Sequence, residues 1–137
     1  MNKGGCILIN KERTKIGLVY RKKQKDYSFP KGHIEENEKI WECAIRETEE
    51  ETGRKCNLIS KKNYTKMEYF TEKEGKVIVY MYYAIDAGKS KKNIKEEDKE
   101  CLVWIDIDKV LDVLTYQNLK DFWNKALFKL NKLLKER

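Results

Sequence analysis

Proline occurs once in the 137 residues, at Pro30, histidine once, at His33, and glycine only seven times. There is no linker-like stretch and no internal repeat, so the chain reads as a single domain over residues 1–137. The four cysteines, Cys6, Cys43, Cys56 and Cys101, form no C-x-x-C pair and have no histidine cluster beside them. That spacing suggests neither a zinc site nor a disulfide framework, and reduced thiols in a cytoplasmic protein are the expectation. Long apolar runs are also missing. The run Gly4 to Ile9 is far too short for a signal peptide or a membrane span, so no membrane partner is expected.

Charge is plentiful. Charged residues make up 39% of the chain, with 30 Lys and Arg against 23 Asp and Glu, a net charge of +7. Residues 35–51 run the other way, with eight glutamates against Lys39 and Arg46, a local charge of −6 that leaves +13 for the rest. A basic excess fits an anionic partner, a nucleotide or RNA, and fits equally a lysine-rich habit of the source genome.

Periodicity places the elements. Gly4 to Asn10 and Ile16 to Arg21 alternate as strands around a turn, and Arg21 to Tyr27 reads as a polar loop. Asn37 is a candidate N-cap for a helix in which Ile40, Ala44, Ile45 and Thr48 recur at helical spacing until Gly53 stops it. Asn63 to Thr71 and Lys76 to Ala87 form a predicted hairpin, Gly88 to Lys99 a charged loop, and Leu102 to Ile107 a strand. A short helix and a long C-terminal helix follow, giving an α/β protein with a mixed sheet.

On the acidic helix Glu47, Glu50 and Glu51 stand at i, i+3 and i+4, so their carboxylates share one face and repel one another. A divalent cation removes that repulsion, and carboxylate oxygens suit Mg²⁺ or Mn²⁺. Arg46 is placed to pair with Glu42, to reach back to Glu38 or to steady the carboxylates, while Glu49 points away and is expected to be solvated. A Glu-rich helix by itself is usually a surface face turned to water. The residues in front of this one ask for more.

Gly32, five residues, Glu38, seven residues, then Arg46-Glu47-Thr48-x-Glu50-Glu51-x-Gly53 resembles the Nudix box, G-x5-E-x7-R-E-U-x-E-E-x-G-U with U aliphatic. Every charged and glycine position is filled, and only the U positions depart, at Thr48 and Arg54. The resemblance implies an α/β/α sandwich with the mixed sheet between helices. It implies Mg²⁺ or Mn²⁺ on Glu47, Glu50, Glu51 and the Gly32 carbonyl, with Glu38, Arg46 and Gly53 holding the loop and helix. It also implies hydrolysis of a nucleoside diphosphate linked to another moiety. The metal would neutralise phosphate charge and activate water, and Glu47, Glu50 or a loop acid would take the water's proton.

The segment "YSFPKGHIEENE" resembles the dinucleoside tetraphosphate hydrolases, such as those acting on diadenosine tetraphosphate. By that likeness Lys31, His33 and Lys76 approach the phosphate chain, Tyr69 and Tyr116 stack on adenine, and Glu97, or Glu96 or Asp98 beside it, supplies an additional acid. Tyr69 and Tyr116 also read as core aromatics, and His33 as an ordinary loop histidine. The same box resembles that of messenger-RNA decapping enzymes, whose RNA partner the basic surface would suit. A sanitiser of oxidised nucleotides and a non-cleaving nucleotide- or RNA-binding module complete the readings.

Overall fold

Alternation along the first strand decides which helix covers which side of the sheet. In the computed structural model, which describes residues 1–92 and 101–135, β1 (Asn2–Ile9) turns Ile7 and Ile9 to one face and Cys6 and Leu8 to the other, all fully buried. β7 (Gly75–Lys89) runs parallel to it, from Asn2 opposite Ile78 to Ile9 opposite Ile85. Val77, Val79, Met81 and Tyr83 join the Ile7 face, Tyr82 and Ala84 the Cys6 face. Two strands apolar on both sides belong at a sheet's centre.

The remaining pairings are antiparallel. β2 (Lys15–Arg21) meets β1 at Leu8 and Ile9, continues along the same edge with β3 (Asp26–Ser28), and carries β8 (Cys101–Asp106) on its other edge. β4 (Lys31–His33) pairs with the opposite end of β1, at Lys3 to Gly5. β5 (Arg54–Leu58) and β6 (Tyr64–Thr71) share the outer edge of β7.

Helices close both faces. α1 (Ile40–Thr52) packs Ala44 against Cys6, Leu8, Tyr82 and Ala84. Gly4 makes this approach possible, because a Cβ there would lie 2.7 Å from the Ile40 carbonyl oxygen. On the other face α2 (Val110–Val113) and α3 (Gln117–Lys135) cover the larger core with Phe122, Trp123, Ala126 and Leu130. The Tyr83 hydroxyl satisfies itself inside that core, donating to the Ala126 carbonyl at 2.9 Å with Thr65 Oγ1 at 2.7 Å. The expected α/β/α sandwich with a mixed sheet is the architecture found. No helix among the described residues is long and apolar enough to cross a membrane.

Local departures have physical causes. Asn37 is not the N-cap: it adopts a left-handed φ of 65° in the preceding turn, as its short amide side chain tolerates, and the helix begins after Lys39. Glu42 reaches back to accept the Lys39 N–H at 2.9 Å. Gly53, with φ 73°, ends α1 by donating its N–H to the Glu49 carbonyl at 2.8 Å. β3 begins inside the expected loop of Arg21 to Tyr27 and β4 follows it unannounced, because three residues are too few to display alternation. In β5 only Cys56 is buried, which erases the apolar signal.

Trp123, 1% exposed and stacked on Phe29 at 6.0 Å, is the largest side chain in this core. Trp123→Ala is expected to lower unfolding free energy by about 3–5 kcal/mol, with Trp123→Phe losing less. Urea denaturation measures both; equal losses would contradict a cavity mechanism.

Candidate active site

Arg46 organises the face of α1 that turns toward β4. Its Nε and Nη2 grip the Glu38 carboxylate at 2.7 and 3.0 Å, Nη2 also donates to the His33 carbonyl at 2.8 Å, and Nη1 serves Glu47 at 2.9 Å and Glu50 at 3.2 Å. Glu35 lies 3.4 Å from the same nitrogen. Hydrogen bonding from Arg46 holds the Glu38 carboxyl below its ordinary value, and the reciprocal bond to Glu38 holds Arg46 firmly protonated. The expected Glu42 partnership is replaced, since Glu42 caps the helix instead.

Glu47 lies against the backbone of Gly32. A Cβ on Gly32 would collide with the Glu47 carboxyl group, so a side chain here would displace that carboxylate from its place. Burial raises the Glu47 pKa against the pull of Arg46. The Cys43 thiol fills the other side, 3.4 Å from the Gly32 carbonyl and 3.3 Å from that of His33, and burial pushes its pKa up to about 11, so it is an inert thiol rather than a nucleophile. Glu51 accepts the Lys31 N–H at 2.6 Å.

Among the described residues no three His, Cys, Asp or Glu side chains converge as a finished metal cage. The donor chemistry nevertheless fits a hard divalent cation. Glu35, Glu38, Glu47 and Glu50 surround a single guanidinium, Glu51 stands one turn on from Glu47, all donors are oxygen, and Glu47 shares the Arg46 Nη1 donor with Glu50.

A cleft of about 580 Å³ opens on the other side of β4. Pairing Lys3 with His33 and Gly5 with Lys31 puts these odd-numbered positions on the face opposite Gly32 and Gly4. Lys3 reaches Tyr69 Oη and Glu74 Oε1, each at 3.3 Å, and His33 Nε2 stands 3.3 Å from Glu74 Oε2. Burial opposes ionisation of Glu74, but the bonds from Lys3 and His33 prevail and hold its pKa low. The Lys31 ammonium turns inward to Ser28 Oγ at 3.3 Å, and burial lowers its pKa against the nearby Glu51 carboxylate.

Arg21 and Tyr116 complete the far wall. Arg21 makes two bonds of 2.7 Å to the buried Asp26 carboxylate and thereby holds its pKa down, while Asp26 also raises that of the Tyr116 hydroxyl.

The structure thus gathers Lys31, Tyr69 and Tyr116 into one cleft, with His33 at its rim and Glu47, Glu50 and Glu51 just across β4. Lys76 stands elsewhere, exposed and 3.7 Å from Glu68. Glu97, with Glu96 and Asp98, lies outside the described residues. Glu49 is not solvated but 8% exposed: burial raises its pKa, yet bonds from Ser90 at 2.7 Å and Lys92 at 3.1 Å bring it below the ordinary value. Arg54, odd for an aliphatic position, makes two bonds to buried Asp86 at 2.9 and 2.6 Å. Lys3, Arg21 and Glu74 join the site without a motif to announce them.

A family model described as NUDIX domain matches residues 3–126. The m7GpppN-mRNA hydrolase dcap-2 of Caenorhabditis elegans is 39% identical over 79 residues, 56% of this chain and 10% of that protein, so the chain spans about a tenth of the length of that curated relative. Among solved structures, a NUDIX-family hydrolase from Clostridium perfringens superposes with a TM-score of 0.73 at 20% identity, covering 96% of this chain and 97% of that one. A C. elegans Ap4A hydrolase in a binary complex gives 0.68 at 17% identity, covering 99% and 98%. These structural likenesses concern the fold.

The Arg21–Asp26 pair makes a prediction independent of chemistry. A carboxyl held low in the folded state contributes its full stability above its unfolded value, about pH 4, and loses it as pH falls through the lower folded value. Asp26→Asn should therefore destabilise the protein at neutral pH and flatten its acid limb below about pH 4. Urea midpoints taken across pH check this; an acid limb of unchanged steepness would contradict it.

Proposed function

The chain belongs to the Nudix family, and from that premise we propose that it is a divalent-cation-dependent pyrophosphohydrolase cleaving a nucleoside diphosphate linked to another moiety, with dinucleoside polyphosphates such as diadenosine tetraphosphate preferred. The observation that carries the substrate assignment is the cleft, where Lys3, Arg21 and Lys31 stand among Tyr69 and Tyr116 directly beside the acidic helix. A polyphosphate chain needs cations along its length and an adenine needs a flat apolar surface; stacking is worth about 1–3 kcal/mol per base.

Glu47, Glu50, Glu51 and the Gly32 carbonyl are the groups that would hold Mg²⁺ or Mn²⁺. When bound, such a cation neutralises charge on the phosphate oxygens and lowers the pKa of water. The chain's own residues do the rest. Arg46 orients Glu47 and Glu50 and, through the His33 carbonyl, fixes the segment carrying Lys31. Lys31 is the physical link between the two halves of the site: its N–H binds Glu51 and its side chain enters the cleft. Lys3, steered by Glu74, supplies a second cation for phosphate, and His33 a donor at the rim. A carboxylate free of the cation accepts the water's proton, a role open to Glu47, Glu50 or the acid of the segment containing Glu97. Lys76, paired with Glu68, is assigned no part.

A second reading has its own support. The 39% identity to an m7GpppN-mRNA hydrolase favours the 5′ end of an RNA as substrate, its polyphosphate lying in the same cleft.

Product analysis with Mg²⁺ on diadenosine tetraphosphate, 5′-triphosphorylated RNA, capped RNA and an oxidised dGTP decides between them. Cleavage of the dinucleotide to ATP plus AMP is expected to dominate, and Glu50→Gln and Glu51→Gln to lose about 100-fold in rate while staying folded. Preferential processing of RNA ends would favour the second reading, and near-normal turnover of either variant at saturating Mg²⁺ would contradict the metal assignment.

A further inference from the structure

A second groove lies at the other end of the β6–α3 seam. Lys125, Phe128, Lys129 and Lys132 stand at i, i+3, i+4 and i+7 of α3, on one face, and meet Tyr64 and Lys66 of β6 across a space of about 620 Å³. Among the described residues no carboxylate pairs with any of the four lysines. Glu68 and Asp121 lie beside Lys66 and Lys125 in the adjoining space, whereas Lys129 and Lys132 face rings and a carbonyl, and an anion in the groove would relieve the repulsion among the four.

The aromatic content distinguishes this groove from an ordinary solvated lysine face. Phe128 is 66% exposed on a helix that has a buried apolar face of its own. The Lys132 ammonium sits 4.5 Å from the Phe128 ring centre, and Lys129 sits 6.0 Å from that of Tyr64 while donating to the Tyr64 carbonyl at 2.7 Å. Phe128 therefore offers an exposed ring for a base beside the Lys132 charge for a phosphate, while Tyr64 is packed against Tyr80 and Tyr82 at 5.2 and 5.5 Å and forms the groove's wall. Toward the catalytic cleft the seam acquires Glu68 and Asp121, which end the basic stretch, so the groove is a separate site.

We infer that this groove binds a short segment of single-stranded RNA, with Phe128 stacking on a base and Lys66, Lys125, Lys129 and Lys132 holding phosphates. The lysines of α3 span about 10 Å of helix axis. An acidic peptide would satisfy the charges but leave the Phe128 ring without a partner. The inference goes beyond the proposed function and stands whatever the cleft hydrolyses.

The test is fluorescence anisotropy of the full chain with a 3′-labelled decaribonucleotide bearing a 5′-hydroxyl, which offers no polyphosphate to the cleft, across a KCl series. Three or four phosphate contacts predict a log–log salt slope of about −2 to −3. The combined Lys125→Gln, Lys129→Gln and Lys132→Gln variant should bind at least about tenfold more weakly, with a slope near −1. Phe128→Ala should lose about tenfold with the slope unchanged. All variants should hydrolyse nucleotides as the parent does. Unchanged affinity of either variant, or displacement of the RNA by polyglutamate at equal charge concentration, would overturn the inference. RNA binding by a protein that hydrolyses none of the nucleotides would sink the proposed function and leave this groove intact.

Discussion

The Arg46 guanidinium is the contact on which the site depends. One planar cation ties the loop before α1 through Glu38, the end of β4 through the His33 carbonyl, and two carboxylates of the helix through Nη1. Arginine alone among side chains offers five fixed donors, and at least four separate groups draw on them here. A lysine would supply the charge but not the fork. Removing Arg46 would free three elements from one another and leave Glu38, Glu47 and Glu50 with no counter-charge.

β4 shows how little chain is needed to build two half-sites. Within three residues the pleat sends Lys31 and His33 to the cleft and turns the bare α-carbon of Gly32 to the helix, where the Glu47 carboxylate occupies the space a side chain would take. The parallel pairing of β1 with β7 then sets Lys3 beside Tyr69, because β6 lies on the far edge of β7 in fixed register. The Lys31 side chain and the Glu47 carboxylate are thereby kept on opposite faces of one short strand.

Much of this was legible in the sequence. The spacing from Gly32 to Gly53 located the helix, its carboxylates and its arginine, because those contacts are local and follow from 3.6 residues per turn. Tyr69 and Tyr116 could be named, and the packing gives Tyr69 both positions, against the larger core and along the cleft. Lys3, Arg21 and Glu74 were not legible: they come from two strands and a turn, and only sheet register brings them together. Lys76 illustrates the converse, since strand alternation points it at Glu68 and away from the cleft. Glu49 shows the limit of helical-wheel reasoning, for the face it occupies is covered by Ser90 and Lys92, beyond the end of β7.

The central claim is that the glutamates of α1 are gathered to hold a divalent cation. Titration of the substrate-free protein with Mn²⁺, followed by the electron paramagnetic resonance of the unbound ion, tests it without reference to any reaction. Saturable uptake by the parent protein, weakened at least about tenfold in each of Glu47→Gln, Glu50→Gln and Glu51→Gln, is the result predicted. Uptake of equal strength in all four proteins would contradict the account.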